Sequence, residues 1–188
     1  MSAFWLSLGV IFVAELGDKS QLMAMAFATR YRAVPVLIGI TIATAVVHAL
    51  SVLLGATVQS LIPMPWITVA AALAFFGFAL WTWRGDALTD EDRERAKRAA
   101  RSAVMAVTVA FFLAELGDKT MLATITLATK EDLFGTWLGS TVGMVAADAL
   151  AIVVGQQLGK RLPERAIQIG AAIAFALFGV LLLAEALI

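Results

Sequence analysis

The chain has 188 residues, of which 61% are hydrophobic, and its mean hydropathy is +0.91. Soluble domains are about 45–50% apolar, so this composition indicates a membrane protein. The formal net charge is zero and the one basic cluster is interleaved with acids, which argues against nucleic-acid binding. There is no cysteine and a single histidine, which argues against disulfides and against thiolate or His-rich metal sites.

Six segments are apolar and long enough to cross a membrane as helices, since a span needs about 20 mostly apolar residues. They cover residues 4–28, 34–55, 64–83, 103–128, 134–157 and 166–188. Short breaks with charged residues or prolines separate most of them. The five tryptophans lie near the predicted span ends, as in an aromatic belt. Residues 84–101 are charged and alanine-rich, and we expect a solvated surface linker there.

The distribution of basic residues predicts the orientation in the membrane. Eleven lie in the first, third and fifth loops, whereas Lys130 alone lies in the other loops. Cytoplasmic loops are enriched in lysine and arginine. The central linker is therefore predicted to be cytoplasmic, and both termini are predicted to lie outside the cytoplasm.

A repeat with an offset of one hundred residues relates the two halves of the chain. Residues 12–20 read FVAELGDKS and residues 112–120 read FLAELGDKT, and further matches continue at the same offset. Because each half has three spans, the second must enter the membrane from the opposite face. The sequence therefore predicts an all-α membrane protein of two inverted three-helix repeats, 1–83 and 102–188, an architecture in which transporters place a site near the bilayer midplane.

Each repeat places two acids and one lysine near the middle of its first span. Glu15, Asp18 and Lys19 have the spacing i, i+3, i+4, so they would share one face of a continuous helix. A charge at the bilayer centre costs at least about 2.5–3.5 kcal/mol, and such residues usually serve a pathway or a pair. The second repeat has the same pattern at Glu115, Asp118 and Lys119.

Small and hydroxylated residues accompany these acids. Gly17 and Gly117 permit either close helix contact or local unwinding that exposes backbone carbonyl groups. Ser20 and Thr120 add a hydroxyl near each set of acids, although on an unbroken helix they would point partly away.

The charges suggest a ligand. Four carboxylates and two ammonium groups have a formal charge of minus two, which one divalent cation would neutralise. Oxygen ligands suit Ca²⁺, Mn²⁺ or Mg²⁺, whereas zinc and copper sites normally use Cys or several His. When the ion leaves, four poorly solvated acids cannot all stay ionised, so protons should replace it. The metal would be a transported substrate, and no resident cofactor is expected.

Other interpretations stay open. The glutamate and lysine of each motif could form an ion pair within one helix that only neutralises charge. His48 and Asp148 occupy equivalent positions in the second and fifth spans, and they could relay protons or form interhelical hydrogen bonds. The protein could also export a cationic or zwitterionic solute, form a passive cation channel, or be an intramembrane enzyme, although no nucleophile is evident.

Both motifs fit the pattern E-x-G-D-(K/R)-(S/T), at residues 15–20 and 115–120. With two copies in six spans, the chain resembles the membrane family that includes bacterial manganese exporters of the MneA type and the Golgi manganese/calcium transporters of eukaryotes. The resemblance implies secondary active export of Mn²⁺ or Ca²⁺ in exchange for protons. It implies that the ion is bound by the motif acids Glu15, Asp18, Glu115 and Asp118.

The resemblance places Ser20 and Thr120 at the motif's hydroxyl position and leaves two roles open for Lys19 and Lys119, which could hold the acids or replace the ion. It assigns nothing to residues outside the motifs. A short N-terminus without a transit peptide favours a bacterial plasma-membrane member over an organellar one. The expected partners are the metal ion, protons and the lipid bilayer, with a homodimer as an option and no nucleic acid.

Overall fold

The computed structural model describes residues 2–84, 103–158 and 164–187, and within these ranges the chain is helical. The predicted linker lies outside the described residues except for Arg84. The helices, in chain order, are α1 (Ser2–Glu15), α2 (Lys19–Arg30), α3 (Ala33–Leu61), α4 (Met64–Arg84), α5 (Ala103–Glu115), α6 (Lys119–Ala128), α7 (Leu133–Leu158) and α8 (Glu164–Leu187).

Among the described residues, three helices are long and apolar enough to cross a membrane by themselves, namely Ala33–Leu61, Pro65–Arg84 and Leu133–Gln156. Shorter apolar helical stretches cover Ser2–Glu15, Ala103–Glu115 and, within α8, Ala172–Ala184. Large apolar side chains cover the outside, with Leu61 at 76% and Trp66 at 71% exposure. The prediction of an all-α membrane protein is therefore confirmed, because such a surface is suited to lipid.

The first and fourth predicted spans are each divided into two helices. In both motifs the glutamate is the last residue of one helix and the lysine is the first residue of the next. Gly17 and Gly117 have φ angles of 74° and 78°, in the left-handed region that favours glycine. Asp18 and Asp118 then occupy the N-cap positions of the following helices, where the Asp18 side chain accepts a hydrogen bond from Ser20 N and the Asp118 side chain makes no capping hydrogen bond. The continuous helix expected through each motif is therefore wrong, and of the two roles left open for the glycines the structure shows local unwinding.

The main packing contacts of the first helix of each half are with the other half of the chain. Helix α1 packs mainly on α7, and α5 packs mainly on α3, so the first helix of each half lies on the long helix of the other half. Glycines allow these close approaches: an added Cβ at Gly143 would lie 2.6 Å from Leu8 O, and one at Gly39 would lie 2.7 Å from Val107 Cβ. The remaining long helices, α4 and α8, pack on each other.

Candidate cation site

The two motifs meet inside the protein, where each lysine pairs with the aspartate of the other motif. Lys19 Nζ lies 2.8 Å from Asp118 Oδ1, and Lys119 Nζ contacts Asp18 Oδ1. Both aspartate side chains are fully buried, while the lysine side chains are 23% exposed at position 19 and 2% exposed at position 119. Ion pairs between the halves thus replace the pairs within one helix that the sequence also allowed.

The motif hydroxyls bind the motif glutamates across the helix break. Ser20 Oγ donates to Glu15 Oε1 and also lies 2.9 Å from Asp18 Oδ2. Thr120 Oγ1 donates to Glu115 Oε2 at 2.7 Å. An unbroken helix would turn residues five positions apart partly away from each other, so the unwound glycine segment is what brings hydroxyl and carboxylate together.

Gln21 fixes the first unwound segment, a role that the sequence analysis missed. Its Oε1 accepts a hydrogen bond from Gly17 N at 2.9 Å, and its Nε2 donates to Ala147 O in α7 at 3.0 Å. In the second repeat Gly117 N lies 3.2 Å from Met121 Sδ, a weaker acceptor. The signal in the sequence was an amide side chain within a membrane span, four residues after a motif glycine.

Asp148 lies in the same electrostatic environment as the motif acids. It is fully buried, and neither of its carboxylate oxygens has a hydrogen-bond partner. Its charge acts on Glu15, while Glu115 and Asp18 act on it, all by repulsion. The structure therefore adds a fifth carboxylate to the four predicted from the motifs, and the hydrogen-bonded alternative for Asp148 is not found among the described residues.

His48, the repeat equivalent of Asp148, has a different environment. It is 1% exposed and its Nδ1 has no hydrogen-bond partner. Burial dominates its electrostatic environment. The two positions that the repeat makes equivalent therefore differ, because repulsion from the acids is found at Asp148 and burial alone at His48.

The arrangement already holds two cationic groups. In the described part of the chain, no group of three or more histidine, aspartate or glutamate side chains is arranged to hold a metal ion. Each lysine ammonium group forms an ion pair with one motif aspartate, while Glu15 Oε2 and Glu115 Oε1 have no hydrogen-bond partner. A cation that used all four motif acids would have to displace both ammonium groups.

Comparisons with known proteins identify a family and several relatives. The family model of the divalent cation/proton antiporter GDT1 matches residues 3–90 and 103–188. A Vibrio cholerae protein named "putative manganese exporter" is 32% identical over 87% of this chain and 81% of its own length. A GDT1-like protein of Synechocystis is 30% identical over 96% of both chains, and GDT1-like protein 5 of Arabidopsis thaliana is 28% identical over 96% of this chain and 94% of its own.

No solved structure matches the chain significantly. The family assignment thus depends on sequence, and it is independent of the geometry described above. Nearly the whole chain is covered by the family model, and both matched segments contain a complete acidic motif. The chain belongs to the GDT1 family of divalent cation/proton antiporters.

Proposed function

We propose that this antiporter exports Mn²⁺, Ca²⁺ or both from the cytoplasm in exchange for protons, and that Glu15, Asp18, Glu115 and Asp118 bind the transported ion. Family membership supports the exchange of a divalent cation for protons, and the Vibrio relative supports Mn²⁺. The observation that carries the assignment of the site is the meeting of both motifs in one buried cluster with more acids than lysines.

Charge balance explains how one cluster could exchange the two substrates. The motif acids and lysines together have a formal charge of minus two, which either one divalent cation or two protons would neutralise. We infer that Lys19 and Lys119 leave the aspartates when the ion binds and return when it departs. Ser20 and Thr120 would orient the glutamates, and Gly17 and Gly117 would keep the backbone unwound at the site.

We further propose that the chain crosses the membrane six times as two inverted three-helix repeats, at residues 1–83 and 102–188, joined by the linker 84–101. Glycine contacts support this arrangement. Gly135 faces Ala3 and Gly143 faces Leu8, so α1 and α7 run in the same direction, as do α3 and α5–α6. Parallel first and fifth spans, and parallel second and fourth spans, are what alternate crossing requires.

The basic residues support an orientation with the linker in the cytoplasm and both termini outside. We propose the plasma membrane of a bacterium as the location. Export would then move the metal from the side of the linker to the side of the termini, while protons would move inward. A cationic solute is the second candidate substrate, because Asp18 and Asp118 each accept an ammonium group in the structure.

Metal flux in proteoliposomes under an imposed pH gradient tests the proposal, with Mn²⁺ and Ca²⁺ measured separately. We expect flux that follows the pH gradient in the wild type and no flux in Glu15→Gln or Asp118→Asn, because a neutral amide removes one of the charges that hold the ion. Glu131→Gln serves as the control, since Glu131 lies in the α6–α7 loop outside the cluster, and it should transport at the wild-type rate.

Three results would contradict parts of the proposal. Flux that ignores the pH gradient indicates a channel. Transport retained in both amide variants rules out the proposed site. Absence of flux for both ions, in wild-type protein shown to be folded and inserted, points to the cationic solute.

A further inference from the structure

Three buried hydroxyl groups on α1 and α7 have no hydrogen-bond partner. Ser7 in α1 and Thr136 and Ser140 in α7 are all 0% exposed, and their side-chain oxygens are unpaired. Serine and threonine in helices commonly donate to the carbonyl group four residues earlier, as Thr141 does to Trp137 O at 2.8 Å. The three hydroxyls therefore retain donor and acceptor capacity that helix packing does not use.

These hydroxyls are buried in α1 and α7, two helices that pack on each other, on the side where both helices begin. Leu8 O faces Gly143, so Ser7 lies near the level of Ser140. At a rise of about 1.5 Å per residue, Thr136 is about 6 Å from Ser140 along the axis, and Ser140 is about 12 Å from Asp148. The hydroxyls thus form a polar row directed towards the acidic cluster.

Thr44 of α3 lies within the gap between Ser140 and Asp148. Its buried hydroxyl faces Met144 Sδ at 3.3 Å, and Met144 is midway along α7 between those two residues. Thioether sulfur is a weak acceptor, so this hydroxyl too keeps most of its hydrogen-bonding capacity. The row of hydroxyls therefore continues to the level of the fifth carboxylate.

The other half of the molecule has no such row. The repeat equivalents of the three hydroxyl residues, all of them buried in one apolar cluster between α2, α3 and α5, are Val107, Val36 and Ile40. These three positions thus carry hydroxyls in one contact and hydrocarbon side chains in the other, where the Thr108 hydroxyl donates to Gly39 O at 3.2 Å. Helix packing alone does not require hydroxyl side chains at these three positions, because the equivalent positions of the other repeat are occupied by apolar side chains.

The α1–α7 contact is too narrow for a hydrated divalent cation. An added Cβ at Gly143 would already lie 2.6 Å from Leu8 O, and one at Gly135 would lie 3.0 Å from Ala3 Cβ. Protons need only a chain of hydroxyls and single water molecules, and a water needs two to four polar partners. The row can supply such partners.

We propose that the hydroxyls of Ser7, Thr136 and Ser140 line the path by which protons pass between the acidic cluster and the membrane face where α1 and α7 begin. This inference rests on the proposed function and gives the proton a route separate from that of the metal. In the proposed orientation this face is the outer one, from which protons enter during export.

Water accessibility tests the path without any measurement of transport. The chain has no cysteine, so a single cysteine can be placed at Ser7 or Ser140 and, as matched controls, at Val107 or Ile40. Ag⁺, which is close to water in size and binds thiols, is applied to both faces of the membrane, and the remaining free thiol is then labelled with a maleimide after denaturation. We expect Ag⁺ to block labelling of Ser7→Cys and Ser140→Cys but not of Val107→Cys and Ile40→Cys. Equal labelling at all four positions would overturn the proposal.

Transport of a variant with an apolar row gives the second readout. In the triple variant Ser7→Ala, Thr136→Val, Ser140→Ala we expect proton-coupled Mn²⁺ flux to fall on the order of tenfold, equivalent to about 1.4 kcal/mol in the barrier. Equilibrium binding of Mn²⁺ should be unchanged. Thr141→Val, whose hydroxyl is satisfied within α7, should behave as wild type.

The remaining outcomes separate the two proposals. Wild-type flux in the triple variant would overturn the path, and a parallel loss of Mn²⁺ binding would show a packing role instead. A wild-type protein that lacks flux driven by pH would refute the proposed function, and the Ag⁺ pattern would still decide whether the row admits water.

Discussion

The side chains that neutralise Asp18 and Asp118 come in each case from the opposite half of the chain. The two pairs are chemically alike but differ in their contact with the surroundings, because the side chain of Lys19 is 23% exposed and that of Lys119 is 2% exposed. A charge left unpaired in a buried position is far more costly than one that can reach solvent. Both aspartates are fully buried, so the loss of either lysine should destabilise the protein despite the difference in lysine exposure.

Replacing each lysine with methionine measures this cost. Removing one partner of a buried pair costs about 3–5 kcal/mol, so we expect Lys119→Met and Lys19→Met each to lower the free energy of unfolding by an amount in that range. Thermal unfolding of the purified variants provides the comparison. Adding Asp18→Asn to Lys119→Met should recover part of the loss, and an unchanged free energy of unfolding in either lysine variant would contradict the buried pairing.

The sequence predicted which residues form the cluster but not which of them pair. A lysine side chain is long enough to reach an acid on its own helix or on a neighbouring one, so spacing alone left both options. Asp148 was selected because it lies within a predicted span. Its repulsion by the motif acids, which is not found at His48, depends on the tertiary packing of α7 against α1 and α2. The sequence analysis did not select Gln21, although its side chain and that of its repeat equivalent, Met121, both face the N–H of the motif glycine.

At the scale of secondary structure, the short breaks in the first and fourth predicted spans shape the site. Hydropathy and length favour continuous helices there, because they measure only how apolar and how long a segment is. Breaking a helix inside a membrane leaves backbone groups that need partners. Those partners are Gln21, Asp18 and neighbouring turns, and most of them were not identifiable from the local pattern.

Gly117→Ala tests the left-handed backbone. No atom lies within 4 Å of an added Cβ at Gly117, so the expected cost is conformational and amounts to about 1–2 kcal/mol. Gly77→Ala is the matched control, because Gly77 in α4 also has open space around its Cβ but a helical backbone, where alanine stabilises by about 0.5–1 kcal/mol. Unfolding midpoints that shift in opposite directions would support the helix break, and a stabilised Gly117→Ala would contradict it.

At the scale of the molecule, the two halves share a backbone plan but not a distribution of polar groups. Three buried hydroxyls of α1 and α7 have no hydrogen-bond partner, whereas their repeat equivalents in α5 and α3 are apolar and the Thr108 hydroxyl of α5 donates to Gly39 O. The repeat was readable from the motif and its constant offset. The sequence also shows that the two repeats differ at these polar positions. Only the packing of α1 on α7 shows that Ser7 lies on a helix next to the one that contains Thr136 and Ser140.

Cysteine labelling in intact cells tests the orientation of the whole chain. We expect a membrane-impermeant maleimide to label Glu131→Cys, which lies in the α6–α7 loop, and to label Ala96→Cys in the linker only after permeabilisation. The reason is the excess of basic residues in the linker and in the loops on its side of the membrane. The reverse labelling pattern would mean that the termini face the cytoplasm.

The exchanged ion pairs also bear on how the protein is made. When the first half enters the bilayer, Asp118 and Lys119 have not yet been synthesised, so Asp18 and Lys19 lack the partners they have in the finished molecule. Buried charges without partners are unfavourable, and the first half therefore cannot settle into its final packing alone. Both motifs can therefore become buried only after the second half has been completed. A chain truncated at the linker would insert into the membrane less stably than the full chain.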